Sequence, residues 1–129
     1  MVASHYKFLL QEYSVIKNLR VIACCDLNLQ LAEDFSKSFD ANPYKDLGDM
    51  LTKEDLDILL ILTPSGLHYE HASKALDENV SVVIEKPICL IPEEAFELND
   101  RAKAKNLFVS SVFQNRYNPS IKKLKSFMD

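Results

Sequence analysis

Glycine is scarce in this chain, and the scarcity excludes one kind of site. The 129 residues include two glycines, Gly48 and Gly66, and neither lies near the start of the chain. Gly-rich phosphate-binding turns depend on glycine because a side chain there would hold the backbone away from the phosphate. A turn of that kind is therefore excluded from the first part of the sequence.

Cysteine, basic clusters and long apolar runs are also limited. Three cysteines, two of them adjacent, make neither a disulfide framework nor a zinc site, which favours a reducing, cytoplasmic location. The net charge is −4 and the densest basic group is confined to residues 122–125, so no nucleic-acid partner is expected. No apolar run is longer than that from Ile58 to Leu62, which is too short to span a bilayer, and the start of the chain lacks a signal-peptide pattern. No membrane partner is expected either.

A short apolar run leads directly into charged residues in the second half of the chain. Residues 80–84 are mostly β-branched and predict a buried strand of a parallel sheet. Pro87 ends the strand at Lys86, because proline cannot donate to a ladder and disfavours helix at the preceding residue. Ligands bind at the carboxyl ends of strands in such sheets, and a lysine there is suited to proton transfer. Glu85 and Lys86 are equally compatible with a solvated turn.

Strand and helix patterns alternate along the rest of the chain. Apolar runs predict strands over residues 19–25, 57–62, 80–84 and 107–113. Helical spacing predicts helices over residues 1–17, 27–39, 46–51, 67–79 and 92–106, and a last helix that begins at Pro119. Asn42-Pro43 predicts a loop, and Tyr44 a short extended segment. This alternation predicts a single α/β domain with a doubly wound parallel sheet.

Polar residues follow the predicted strands and would meet at one edge of the sheet. Asp26 ends the first strand; an acid in that place binds the ribose 2′-hydroxyl of NAD and repels the 2′-phosphate of NADP, although it is also a common helix N-cap. His68 and His71 share a helix face, but no carboxylate or cysteine has the spacing to complete a metal site, so no metal is predicted. Cys89 is interpreted as a small, unreactive thiol.

Four motifs in order make the chain resemble the nucleotide-binding domain of the Gfo/Idh/MocA oxidoreductases, named for glucose–fructose oxidoreductase and inositol dehydrogenase. The most specific is Glu85-Lys86-Pro87 after a Val-rich strand. The others are Cys25-Asp26-Leu27-Asn28, Thr63-Pro64-Ser65-Gly66-Leu67-His68 before an Ala-rich helix, and Gln114-Asn115-Arg116-Tyr117-Asn118-Pro119. The resemblance covers essentially the whole chain. It implies a Rossmann-like fold, NAD as the cofactor with NADP less favoured, and hydride transfer to or from a sugar, polyol or nucleotide-sugar substrate.

The resemblance also implies a role for each matched residue. Lys86 would be the catalytic residue, touching the reacting hydroxyl and stabilising the charge that develops on it, with the general base usually supplied by a second domain. Residues 114–119 resemble the form seen in members that oxidise nucleotide-linked amino sugars at the 3-position. A cis Lys86–Pro87 bond is expected. The cofactor-binding set would be Asp26 and Leu27 at the adenosine ribose, Thr63, Pro64, Ser65 and His68 along the dinucleotide, Glu85 and Lys86 near the nicotinamide, and Gln114 and Arg116 closing its far side.

The chain departs from the family pattern at both ends. It would begin just after the family's first strand and Gly-rich turn, and end where the C-terminal substrate domain begins. Residues 1–129 would then be a partial nucleotide-binding domain, inactive alone and a weak binder of NAD. The absent strand is central in the usual order, so an unpaired strand edge and an exposed apolar face are expected, with self-association and a homo-oligomeric parent.

Two other functional classes stay open. A non-catalytic fragment or interaction protein would keep the fold without the chemistry. A response-regulator receiver shares the fold class and a Lys-Pro at a late strand end, but it needs a phospho-accepting aspartate where this chain has Leu62-Thr63. Titration with NAD separates these readings, since a receiver responds instead to Mg²⁺ with a phosphodonor.

Overall fold

Strands and helices alternate through the described part of the chain. The computed structural model describes residues 19–128, and for Gln114 and Asn115 it describes the backbone alone. The helix predicted over residues 1–17 lies outside the described residues. The strands are β1 (Ala23–Cys25), β2 (Asn42–Tyr44), β3 (Ile58–Ile61), β4 (Ser81–Ile84) and β5 (Val109–Ser111). The α-helices are α1 (Leu29–Ser36), α2 (Leu47–Lys53), α3 (His68–Asp77), α4 (Pro92–Ala104) and α5 (Pro119–Lys125), with 3₁₀ turns at Ser65–Leu67 and Gln114–Tyr117.

The five described strands pair in parallel and form two ladders. One ladder joins β1 to β2, and the other joins β3, β4 and β5 in that order. Ile61 lies opposite Ile84, and Ile84 lies opposite Ser111, so three strand ends are level. Parallel strands joined through helices confirm the predicted α/β architecture of the doubly wound, Rossmann-like kind.

The core lies between the three-stranded ladder and helices α3 and α4. Leu76 of α3, Val82 and Ile84 of β4, and Leu98 of α4 are each completely buried. Burying a side chain of this size stabilises the fold by about 1.5–3 kcal/mol relative to leaving it exposed. The strand that leads into Glu85 and Lys86, β4, is therefore part of this buried core.

Polar caps determine where α1 and α2 begin. The side chain of Asn28 accepts a hydrogen bond from the backbone N–H of Gln30 at 3.2 Å, and Asp46 accepts one from Asp49 at 2.9 Å. Such caps satisfy N–H groups that have no partner inside the helix. The prediction that α1 begins at Leu27 is therefore wrong by two residues, because the cap at Asn28 starts the helix after itself.

Asn42 and Pro43 correct the sequence prediction in a second place. They were predicted to form a loop, but they lie in β2, where Pro43 is opposite Cys24. Within the described residues β2 pairs with β1 alone. A strand that pairs on one side tolerates proline, because the missing N–H can fall on the unpaired side.

An apolar cleft of about 420 Å³ lies between the two ladders. Residues 23–25 of β1 line one side and residues 58–61 of β3 line the other. In the part of the chain that the structure describes, no strand pairs with the cleft-facing side of β1 or β3. Whether this edge is unpaired in the whole chain stays a prediction.

Two basic side chains, on Arg101 of α4 and on Lys105 just after it, bind the C-terminal end of α3. Arg101 donates to the carboxylate of Asp77 at 2.7 Å, and the ammonium group just past α4, on Lys105, donates to the carbonyl of Leu76 at 2.7 Å. The last carbonyls of a helix have no partner inside it, so cations there are stabilising. These contacts hold the helix that carries His68 at its other end.

Candidate functional site

Asp26 follows the carboxyl end of β1 and has an oriented carboxylate. Its side chain is half-buried, and Oδ1 accepts a hydrogen bond of 2.8 Å from the backbone N–H of Asn28. Among residues 19–128, Oδ2 has no hydrogen-bond partner. The N-cap of α1 is Asn28, so the alternative that Asp26 caps the helix is wrong. The neighbouring residue in the chain, Leu27, is 80% exposed.

His68 connects the loops that follow β3 and β4. It is the first residue of α3 and is only 1% exposed. Nδ1 lies 2.7 Å from the carbonyl oxygen of Pro87, and Nε2 lies 2.8 Å from the carbonyl oxygen of Thr63. Both polar atoms of the ring are occupied by backbone. The contact of His68 with a dinucleotide therefore stays a prediction, and its hydrogen bonds point to a different task.

Thr63 and His71 form a second contact in the loop after β3. The hydroxyl oxygen of Thr63 lies 3.1 Å from Nδ1 of His71. Burial lowers the pKa of His71 below its ordinary value, and the Glu70 carboxylate opposes this effect. In a neutral His71, Nδ1 can accept a hydrogen bond from the Thr63 hydroxyl group. Pro64 is exposed and Ser65 is half-buried at the start of the 3₁₀ turn, so both are accessible to solvent.

Glu85 and Lys86 leave β4 toward the same edge. The backbone N–H of Glu85 donates to the carbonyl of Ile61 at 2.9 Å, so the ladder continues to the first charged residue. The Glu85 carboxylate accepts a hydrogen bond from the backbone N–H of Lys86. The Lys86–Pro87 peptide bond is cis, which confirms the prediction. Lys86 is exposed, so its ammonium group is open to a bound molecule.

The residues after β5 extend the polar edge. The backbone N–H of Val112 donates to the carbonyl of Ile84 at 3.0 Å, which continues the ladder beyond β5. Gln114 and Arg116 lie in the 3₁₀ turn that follows. The guanidinium of Arg116 lies over the ring of Phe113, 5.0 Å from its centroid, a cation–π contact that restrains an exposed side chain. The side chain of Gln114 lies outside the description, so its role stays a prediction.

The cysteines near the site are poor nucleophiles. Burial raises the pKa of Cys25 to about 11, with smaller contributions from Cys24, Asp46 and Asp26. Burial also raises the pKa of Cys24 and of Cys89. The thiolate is the reactive form of cysteine, so covalent catalysis by these thiols at neutral pH is disfavoured. Across residues 19–128, no three His, Cys, Asp or Glu side chains are grouped as metal ligands.

The predicted site residues fall into two groups on the two ladders. One group follows the strands of the β3–β4–β5 ladder. Its members are Thr63, Pro64, Ser65, His68, Glu85 and Lys86 in the loops after β3 and β4, which His68 joins, and Gln114 and Arg116 after β5. Asp26 and Leu27 follow β1, on the other side of the apolar cleft. Sequence reasoning missed the backbone contacts of His68, although a signal was present. His68 has the spacing of the buried residues Ala72, Ala75 and Leu76 on α3, which puts it on the inward face.

Two of these residues present charged atoms to a ligand. Within residues 19–128, Oδ2 of Asp26 is open to accept a hydrogen bond, and Lys86 presents an exposed cation. A Gly-rich phosphate cradle has no counterpart in residues 19–128. Gly66 does not supply one, because a Cβ there would meet its nearest atom, on Leu90, at 4.0 Å, so no side chain is excluded for lack of space.

Comparison with known proteins gives a consistent result. The model of the GFO_IDH_MocA oxidoreductase family, NAD-binding Rossmann fold, matches residues 4–113. Glucose-6-phosphate 3-dehydrogenase from Bacillus subtilis is 31% identical over 115 residues, which cover 89% of this chain and 32% of that protein. D-glucoside 3-dehydrogenase from Escherichia coli is 29% identical over 106 residues, covering 81% and 30%.

A solved structure extends the similarity to the fold. The WlbA dehydrogenase from Chromobacterium violaceum, in complex with NADH and UDP-GlcNAcA, is 26% identical with a TM-score of 0.89. The match covers 97% of this chain and 36% of that chain. The chain therefore spans about a third of the length of the curated relatives it matches, at 32% and 30%.

Proposed function

Because this chain belongs to the Gfo/Idh/MocA family of oxidoreductases, we propose that it is the nucleotide-binding part of an NAD-dependent enzyme that transfers hydride to or from a sugar, polyol or nucleotide-sugar substrate. The observation that carries the proposal is Lys86, an exposed ammonium group directly after the central strand of the β3–β4–β5 ladder. Two matched relatives are named as sugar 3-dehydrogenases, which supports a sugar 3-hydroxyl as the reacting group.

Asp26 supports NAD rather than NADP at the adenosine end. Its Oδ1 is held by the N–H of Asn28, so the remaining oxygen is oriented to accept a hydrogen bond from a ribose hydroxyl. A 2′-phosphate in the same place would meet a carboxylate of like charge. Leu27, Thr63, Pro64 and Ser65 complete the proposed binding surface, and His68 supports it from behind through its contacts with Thr63 and Pro87.

Lys86 supports the chemistry at the other end. When bound, the nicotinamide ring supplies the acceptor or donor of the hydride. An alcohol that loses hydride must also lose its hydroxyl proton, and the ammonium of Lys86 stabilises the negative charge that develops on that oxygen. Glu85, Gln114 and Arg116 are proposed to border the ring. The base that takes the proton is proposed to come from a second domain of the enzyme.

The proposal includes the setting of the enzyme. Three free thiols support a reducing compartment such as the cytoplasm. Of the helices between residues 19 and 128, none has both the length and the hydropathy of a membrane span. Exposed apolar side chains along α5, Ile121 and Leu124, support a homo-oligomer.

Saturation-transfer NMR of this chain with NADH tests the proposal, because the method detects weak binding. Saturation is expected to reach both the adenosine and the nicotinamide protons of NADH. A chimera that places a strand and a G-x-G-x-x-G turn before residue 1 should bind NADH more tightly, since the backbone amides of such a turn hold the pyrophosphate. Absence of NADH binding in both proteins would refute the proposal. A response to Mg²⁺ with acetyl phosphate instead would favour a receiver.

A further inference from the structure

The ring of His68 is held between two backbone carbonyl groups. Its two nitrogens lie 2.7 Å from the oxygen of Pro87 and 2.8 Å from that of Thr63. Both distances are those of good hydrogen bonds to oxygen. With 1% of the residue exposed, water has almost no access to replace either partner.

Carbonyl oxygens can only accept, and this limits the state of the ring. A neutral imidazole has one N–H donor and one bare nitrogen that accepts. A neutral His68 would therefore direct a lone pair at one of the two carbonyl oxygens from less than 3 Å. Turning the ring by 180° would place C–H groups against the carbonyls and remove both N–H bonds. Both carbonyl oxygens receive a hydrogen bond from the ring only when both ring nitrogens carry hydrogen.

We infer that His68 is a positioning residue whose doubly protonated ring ties the loop after β3 to the loop after β4. One bond ends on Thr63 and the other on Pro87, the residue that follows Lys86. The ring thus sets the distance between the Thr63 loop and the Lys86 loop. Its cation also lies among backbone groups, so it acts on the site through the backbone and has no polar atom left for a ligand.

Other titratable groups border the ring from the elements around it. His71 lies three residues further along α3 and bonds the Thr63 hydroxyl at 3.1 Å. Glu85 and Lys86 precede Pro87 in the loop after β4. The loop between Thr63 and Gly66 contributes no titratable side chain. The protonation of the ring can be read without a cofactor, whereas its effect on Lys86 chemistry rests on the proposed function.

NMR of the chain with ¹⁵N-labelled histidine tests the inference directly. The spectrum is recorded at about pH 6.5, where an ordinary histidine is half protonated. Both ring nitrogens of His68 should carry hydrogens that exchange slowly with water. His71 should show one bare nitrogen, because burial lowers its pKa. A bare nitrogen on His68 would overturn the inference. The ring signals are assigned by their loss in His68→Gln and in His71→Gln. If His68→Gln does not fold, His5→Gln and His71→Gln identify the other two histidines, and the remaining signals belong to His68.

Backbone amide shifts separate positioning from general packing. His68→Gln should move the amide signals of both Thr63 and Lys86, whereas the matched variant His71→Gln should move Thr63 and leave Lys86 in place. Unchanged Lys86 signals in His68→Gln would contradict the positioning role. Both readouts are independent of NADH, so failure of NADH binding would refute the proposed function and leave the result on His68 standing.

Discussion

Replacing Asp26 with serine should weaken the preference for NADH over NADPH. Serine keeps an oxygen that can accept a hydrogen bond from the N–H of Asn28, which now donates to Oδ1 at 2.8 Å. The turn before α1 should therefore survive, and the main change is the loss of one negative charge at the end of β1.

The size of the effect follows from the exposure of the carboxylate. Two unit charges about 4 Å apart interact by about 1 kcal/mol in water and about 4 kcal/mol at an effective dielectric constant of about 20. Asp26 is half-buried and open to solvent on one side, so the lower part of that range applies. A loss of about 1–2 kcal/mol of repulsion against a 2′-phosphate changes the ratio of the two dissociation constants by about 5–30-fold.

Competition between NADH and NADPH in saturation-transfer NMR measures that ratio in each variant, using this chain or the chimera with the Gly-rich turn. Asp46→Ser is the matched control. Asp46 follows β2 and caps α2, because its carboxylate accepts a hydrogen bond of 2.9 Å from the N–H of Asp49. Serine is also a good cap, so α2 should be retained in this variant. It removes an equal charge one strand away and should leave the ratio unchanged. Equal ratios in Asp26→Ser and the unmodified protein, or tighter NADPH binding before any substitution, would refute the reasoning.

Three further predictions follow from other parts of the site. Lys86→Ala, in a protein that joins this chain to a substrate domain, should lower kcat by about 100-fold with a smaller change in NADH affinity; near-normal turnover would leave Lys86 a strand-end residue without catalytic role. Cys25, whose pKa is raised to about 11 by burial, should react with iodoacetamide at pH 8 far more slowly in the folded chain than in urea, and equal rates would contradict the burial. His71 should titrate below its ordinary pKa of about 6.5, because burial disfavours its charged form. Its contribution to the free energy of unfolding is therefore complete above the ordinary pKa and is lost as pH falls from that value through the lower pKa of the folded state. His71→Gln should remove this pH dependence.

The helix and strand pattern was predictable because each buried element carries its own period. Residues 80–84 and 57–62 are apolar on both faces, as strands inside a parallel sheet must be, and both proved to be paired strands. The predictions were wrong where a short sequence pattern is compatible with two local structures. Asn42-Pro43 is typical of a turn, and only the pairing of β2 with β1 turns it into an edge strand. The start of α1 depends on which of two polar residues, Asp26 or Asn28, makes the cap.

The candidate site was predictable as a set of residue types at strand ends, and less so as a set of contacts. Asp26 and Lys86 follow their strands because the carboxyl edge of a parallel sheet collects such residues. The task of His68 could not be assigned, because its two partners, Thr63 and Pro87, are brought together only when β3 and β4 pair. Periodicity places a residue on a face, but it does not say which backbone carbonyl the side chain will meet.

The single strand with neighbours on both sides, within residues 19–128, is β4, and this gives the two halves of the site different dynamics. Amide hydrogens along β4 bond alternately to the β3 side and the β5 side, so opening one neighbour leaves the others protected, whereas β1 and β2 form, within the described residues, a ladder of two strands that opens more easily. Lys86 is therefore attached to the stiffest strand, and Asp26 to a softer one. A dinucleotide that spans both would rigidify the softer ladder most, so NADH should slow amide exchange in β1 and β2 more than in β4.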